Sequence, residues 1–244
     1  MAPDPAAVAA SSSSPARPVV IADLEGTCTA GETWRGLGRY LASHGRRRAY
    51  RLFLAPRLAA LPLVRLRLSE KQGFKNRWVA DLARLLAGED EPGLVRIAAW
   101  ILDDELWPRR RPEVVAELAA AARGGARLVL ASGTYQPVLE AFAARLAGEI
   151  GSDEVAALGT PLEVRDGRAT GRLAAPIGTG PRKARRVTAF AAGAPIAAAY
   201  GDSGADLGLL EMAREPVAVA PDRELSRVAL ARGWRILEAP REGA

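Results

Sequence analysis

The sequence predicts an α/β fold: a parallel sheet covered by helices, with a wholly helical segment inserted after the first strand. Three observations predict it. Short apolar runs such as Val19-Val-Ile-Ala22, Leu128-Val-Leu-Ala131 and Ile196-Ala-Ala-Ala-Tyr200 have strand length and end in glycine, hydroxyl or carboxylate residues. From Pro108 onward such runs alternate with helical patterns, the pattern of βαβ units. Residues 33–107, in contrast, contain helical periodicity and no clear strand. At 244 residues the chain is long enough for one large core, or one domain with a sizeable insertion.

The first run carries three β-branched residues of four and is followed at once by Asp23-Leu-Glu25-Gly-Thr27. Carboxylates just past a strand's C-terminal end lie where open α/β sheets place their chemistry, although an Asp there also serves as a turn or cap residue. The insertion follows, with Trp34, Leu37, Tyr40 and Leu41 on one helical face and Trp78, Val79, Leu82, Leu85 and Leu86 on another. Pro112 then opens a helix through Val114 and Leu118 that Gly124-Gly125 ends, and the second strand runs into Ser132-Gly133-Thr134. Pro137 sits in the first turn of the next helix, with Val138, Leu139 and Phe142 on its buried face. A hydroxyl and a glycine between strand and helix suit an anion site, and equally a plain N-cap. Residues 162–173 read as a β-hairpin turning at Asp166-Gly167, an accessory ribbon beside the sheet. Gly178-Thr-Gly-Pro-Arg-Lys183 opens a helix through Val187 and Phe190. A lysine at a helix start opposes the preference for acids there, which favours a functional role, with Arg182 and Arg185 as the competing cations. The third strand ends in Gly201-Asp202-Ser203-Gly204-Ala205-Asp206, and strands at 217–220 and 235–237 flank a last helix containing Leu225, Val228 and Leu230.

Composition narrows the chemistry. Thirty-four Lys and Arg against 28 Asp and Glu give a net charge of +6, which favours anionic partners. Cys28 and His44 are the only cysteine and histidine, so Cys/His zinc sites, disulfides and histidine triads are poorly supported; catalysis falls to carboxylates, hydroxyls and lysine. Residues 1–18 are rich in Ala, Ser and Pro and are expected to be a disordered tail without the character of a secretory signal. No run of 18 apolar residues spans a membrane, and a cytoplasmic protein is expected. Between Arg35 and Arg77 stand 12 Lys and Arg against the single acid Glu70, read either as a solvated helix face or as a patch for an anionic substrate or surface. With Tyr50 and Phe53 the only aromatics near the densest charge, nucleic acid is the less favoured partner.

Asp-x-Glu, Ser-Gly-Thr, Lys183 after a glycine-rich turn, and Gly-Asp-x-x-x-Asp, in this order at strand ends and a helix start, resemble the four motifs of the haloacid dehalogenase superfamily. The resemblance runs from about residue 19 to 237 and is nearest the phosphoserine-phosphatase-like branch. It implies a Rossmann-like core of residues 19–32 and 108–244 and a helical cap of residues 33–107. It further implies a Mg²⁺-dependent phosphomonoesterase acting on a small phosphorylated substrate. In that reading Asp23 attacks phosphorus, Glu25 is the general acid/base, Ser132 and Gly133 hold the phosphoryl group and Lys183 neutralises charge. Asp202 binds Mg²⁺ together with Asp23 and the backbone of Glu25, with Asp206 in support. A hard dication favours such an all-oxygen set, and a carboxylate attacking a phosphate needs that charge screened.

Glu25 departs from the Asp that most phosphatases of the family carry, although the enolase-phosphatases also read Asp-x-Glu-Gly-Thr. Glu32 falls where phosphoserine phosphatases hold a substrate-binding Glu, and stands equally as a helix-cap residue, its partner arginine being either Arg77 or Arg84. Phosphoserine is therefore one candidate substrate. The competing reading is a catalytically weak relative that binds phosphorylated ligands or an anionic surface through its basic cap.

Overall fold

The computed structural model describes residues 16–65, 71–153 and 155–238; most of the expected disordered tail, through residue 15, lies outside them. Its centre is β1 (Val19–Ala22), every residue of which is buried. On one side β1 pairs in parallel with β2 (Arg127–Tyr135), which pairs with β3 (Val155–Thr160); on the other it pairs with β6 (Ile196–Gly201), followed by β7 (Glu215–Val219) and β8 (Arg235–Leu237). The six-stranded order is β3-β2-β1-β6-β7-β8. The chain leaves β1 toward β2 and returns on the other side as β6, so the crevice at the strands' carboxyl ends opens beside β1.

Because side chains alternate across a strand, the sheet separates two cores. Val20, Ala22, Leu128, Leu130 and Tyr200 pack against Val114 and Leu118 of α5 (Pro112–Arg123) and Phe142 and Leu146 of α6 (Gln136–Ile150). Val19, Ile21, Val129 and Ala199 face Val187 of α7 (Pro181–Ala191), Leu209 of α8 (Leu207–Leu210) and Leu225 of α9 (Arg223–Arg232). Each of the larger aliphatic side chains so buried contributes about 1.5–3 kcal/mol. Helix α9 turns Leu230 to solvent, 71% exposed, and fills the core with Ala229 instead.

The insertion is helical, as expected: α1 (Thr33–Ser43), α2 (Arg47–Arg65), α3 (Lys71–Leu82) with a 3₁₀ turn at Ala83–Leu86, and α4 (Glu91–Ile101), which ends in a π turn at Leu102–Leu106. Leu37 of α1 and Leu94, Ile97 and Ile101 of α4 meet Tyr135 and Val138 of the core, so these two helices rest on the sheet domain. Farther out, Trp34, Tyr50, Phe53 and Trp78 form a chain of ring contacts with centroids 5.5–6.2 Å apart. The joints are Gly45 and Gly88, with φ of +74° and +86°, a region glycine occupies at little cost. Arg46 bridges the two joints, reaching Glu89 Oε1 at 3.1 Å and the Leu85 carbonyl at 2.8 Å. That pairing withdraws Arg46 from the exposed basic face on which Arg47 and Arg48 remain.

Strands β4 (Leu162–Arg165) and β5 (Arg168–Leu173) form the expected hairpin, with Asp166 and Gly167 both at positive φ as a type I′ turn requires. The ribbon stays outside the main sheet and grips the insertion. Gly88 N–H donates to the Ala169 carbonyl, and Ala169 N–H to the Glu89 carbonyl, each at 2.8 Å. Strand β3 went unread in the sequence, because Ala156, Ala157 and Gly159 carry little β preference and its central positions are only half-buried. Strand β2 runs on through Ser132-Gly-Thr to Tyr135, its pairing with β3 lapsing between Ala131 and Tyr135. Among the described residues no helix is long and apolar enough to cross a membrane.

Candidate active site

Asp23 is the first residue past β1, buried, its N–H donating to the Tyr200 carbonyl of β6 at 3.0 Å. Lys183, in the first turn of α7 and 5% exposed, donates to Asp23 Oδ1 at 2.8 Å and to Asp206 Oδ1 at 2.6 Å. Asp206 is 1% exposed, and its second oxygen accepts from the Ser203 N–H and hydroxyl in a capping box. Both oxygens of Asp206 are thus engaged by protein donors. Asp202 leans on the loop after β1: a Cβ on Gly26, at φ +90°, would stand 2.2 Å from Asp202 Oδ2. Only glycine permits that approach. The loop itself is closed by Gly26 N–H to the Thr29 carbonyl at 2.7 Å and by Arg111 Nε to the Gly26 carbonyl at 3.1 Å.

Burial is the largest influence on Asp23 and pushes its carboxyl up; the Lys183 ammonium pulls it back and the Asp206 charge adds to the rise. Burial alone would lower the Lys183 ammonium, but the Asp206 and Asp23 carboxylates outweigh it and hold the lysine charged well above its ordinary range. Oxygens of Asp23, Asp202 and Asp206 lie within 4.8 Å of one another. Three carboxylates gather about the Lys183 ammonium in a largely buried cluster, an arrangement to which a divalent cation would add opposing charge. The donors are all oxygen, as Mg²⁺ requires. This residue set fits the metal.

Glu25 is partly exposed, and its Oε1 accepts the Thr33 N–H at 2.7 Å, at the first turn of α1. Burial raises its carboxyl, with Thr33 opposing through hydrogen bonds. Ser132 is buried and lies two residues past Leu130, the register partner of Ala22, so the Ser-Gly-Thr and Asp-x-Glu segments leave the sheet at one edge. Thr160 joins that edge to the loop before Lys183: its hydroxyl donates to the Gly133 carbonyl at 2.9 Å and accepts from the Gly178 N–H at 3.4 Å. Glu32 is the N-cap residue of α1, yet its side chain makes no cap bond and pairs with Arg35 at 2.8 Å. Neither expected arginine holds it; Arg84 pairs with Asp81 at 3.2 Å and Arg77 is exposed.

Several contributors were not read from the sequence. Thr33 touches Glu25, and Tyr135 is buried with its hydroxyl donating to the Val79 carbonyl at 2.6 Å, tying strand β2 to α3. Glu105, inside the π turn, is fully buried: it pairs with Arg39 and, at 3.0 Å, with Arg109, and accepts the Glu32 N–H at 3.2 Å. Within the π turn Asp103 and Asp104 face solvent while Glu105 is buried.

A family model for haloacid dehalogenase-like hydrolases matches residues 20–211. Over 168 residues the chain is 34% identical to an "inhibition of morphological differentiation protein" of Streptomyces azureus, covering 66% of this chain and 58% of that one. Over 167 residues it is 34% identical to a phosphoserine phosphatase of Mycobacterium tuberculosis, covering 67% and 48%. The chain thus spans about half the length of the curated relatives it matches. Among solved structures, a protein of unknown function from Bordetella pertussis Tohama I is similar at a TM-score of 0.73 and 24% identity, over 91% of this chain and 98% of that one. An apo phosphoserine phosphatase is similar at a TM-score of 0.59 and 14% identity, over 92% and 94%; both are likenesses of fold.

Proposed function

The chain belongs to the haloacid dehalogenase-like hydrolases, and from that membership we propose that it hydrolyses phosphomonoesters of small molecules through an aspartyl-phosphate intermediate. The observation that carries the reading is the buried Lys183 shared by Asp23 and Asp206, with Glu25 two residues from Asp23 and seated on a helix start.

In the first step an Asp23 carboxylate oxygen bonds to phosphorus as the ester P–O bond breaks, and Glu25 gives its proton to the departing oxygen. Burial raises Glu25 in the sense a proton donor needs. In the second step the Glu25 carboxylate takes a proton from water, whose oxygen bonds to phosphorus as the Asp23–phosphoryl bond breaks and inorganic phosphate leaves. Ser132 and the Gly133 N–H hold phosphoryl oxygens, and Lys183 keeps Asp23 and the phosphoryl group from repelling one another. Asp23, Asp202 and the Glu25 carbonyl are the residues to hold Mg²⁺, while Asp206, occupied by Lys183 and Ser203, orients the lysine. Bound Mg²⁺ supplies positive charge at the phosphoryl oxygens. Phosphoserine is a candidate substrate, supported by a relative of that name and by the place of Glu32 at the entrance of α1.

The test is p-nitrophenyl phosphate hydrolysis by the parent and by Asp23→Asn, with and without Mg²⁺. Turnover in the parent should depend on the metal and vanish in the variant, whose amide cannot form the acyl phosphate. A variant rate above about a tenth of the parent's removes Asp23 as nucleophile. A parent without metal-dependent turnover favours the alternative, a phosphate- or anionic-surface-binding relative that uses its basic cap.

A further inference from the structure

The hydroxyls of Thr33 and Thr134 lie 2.7 Å apart, both side chains buried, although the residues stand 101 positions apart in the chain. Thr33 opens α1 and donates its N–H to Glu25 Oε1 at 2.7 Å. Thr134 closes the Ser-Gly-Thr segment, where it serves no helix cap: the N-cap of α6 is Tyr135, without a side-chain bond. Its own N–H reaches Ser132 Oγ at 3.4 Å. A hydroxyl has one proton to give. The Thr33 hydroxyl bonds to that of Thr134, either being able to donate, while the Thr33 amide holds Glu25 Oε1. On the far side of the same turn, Glu105 accepts the Glu32 N–H at 3.2 Å. The entrance of α1 is therefore held from the sheet by Thr134 and from the π turn by Glu105, and Glu25 is bonded to the residue between them.

We propose that Thr134 is a positioning residue for proton transfer, acting through Thr33 to hold the Glu25 carboxyl group in its working orientation. The inference rests on the reading of Glu25 as proton carrier given above. A misdirected acid/base lowers turnover without weakening substrate binding, and one neutral hydrogen bond in such a chain corresponds to a loss of about 3- to 10-fold.

The experiment is a double-mutant cycle on p-nitrophenyl phosphate at saturating Mg²⁺, with thermal melting of each protein to establish that it is folded. Thr134→Val should lower kcat about 3- to 10-fold with KM changed less than about twofold. Thr134→Ser, which keeps the hydroxyl, should restore kcat. In a Glu25→Gln background Thr134→Val should have no further effect, because the group it positions has lost its proton. A Glu25→Gln enzyme that is slow, and that Thr134→Val slows again by the same factor, overturns the positioning role while leaving Glu25 as proton carrier. So does an effect confined to KM, or a Thr134→Val enzyme as fast as the parent. Unchanged kcat in Glu25→Gln alone overturns the proton-carrier reading, and this inference with it.

Discussion

Replacing Lys183 by Met keeps most of the side chain's volume and deletes one charge from the centre of the site. In the parent that ammonium makes two charge-assisted bonds, 2.8 Å to Asp23 and 2.6 Å to Asp206, with all three side chains at most 9% exposed. Without it the Asp23 and Asp206 carboxylates face each other, with an Asp202 oxygen within 4.8 Å. Removing one partner of a buried pair costs about 3–5 kcal/mol, since the remaining charge stays desolvated. For a chain of this size 1 kcal/mol moves the melting temperature by about 2–4 °C. The variant, heated in metal-free buffer at neutral pH and followed by circular dichroism, should melt about 6–20 °C below the parent. Protonation of one carboxylate would bring the loss toward the lower end. Turnover of p-nitrophenyl phosphate at saturating Mg²⁺ should fall by at least about 10², the usual effect of removing one donor from developing charge. A Lys183→Met protein that melts within about 2 °C of the parent refutes the claim that the lysine compensates buried charge. One that turns over within about threefold refutes its place beside the phosphoryl group.

Two further predictions address the metal and the sheet edge. Mg²⁺ should raise the melting temperature of the parent, by an amount equivalent to about 2.7 kcal/mol at a hundredfold excess over Kd, and should leave Asp202→Ala unmoved; an equal shift in both removes Asp202 from the metal site. Glu117 accepts from Arg235 of β8 and from the Tyr200 hydroxyl, and the Arg235 bond holds its carboxyl below the usual range. A carboxyl lowered on folding contributes stability above its unfolded range and loses it as pH falls through the folded one. Glu117→Gln should therefore destabilise by about 1 kcal/mol or less near pH 7, the pair being half-exposed on the arginine side, and by progressively less below about pH 4. A pH-independent difference in melting temperature would contradict that assignment.

What the sequence disclosed was whatever rests on local pattern. Strand β1 announces itself through three β-branched residues in four, and the Asp166-Gly167 turn through its dipeptide, because the determinants are neighbours in the chain. The meeting of Asp23 with Lys183, 160 residues away, was implied by the family resemblance that the ordered motifs carry, and the geometry brings the two together. Glu105 was beyond reach, since no local pattern marks the π turn in which it alone of three adjacent acids is buried on two arginines. The role of Thr134 was hidden for another reason: a threonine between strand and helix looks like a cap, and its partner is set by how α1 docks on the sheet. Strand β3 was missed where tertiary pairing overrides weak propensity, Ala156 lying opposite Val129 and Leu158 opposite Ala131 at the sheet's edge.

The two glycine joints of the insertion lie side by side, bridged by Arg46 and Glu89, while α1 and α4 stay on the sheet. Everything between Gly45 and Gly88 thus departs and returns at nearly one point. Closing a loop on itself grows more costly only with the logarithm of its length. Length changes within this excursion therefore carry little closure cost, provided its ties to the sheet domain, among them the Tyr135 hydroxyl on the Val79 carbonyl, are kept. The residues proposed to handle phosphorus, and Glu32 at the entrance of α1, all lie outside that stretch. Edits confined to that stretch of about forty residues would leave the residues of the proposed reaction in place.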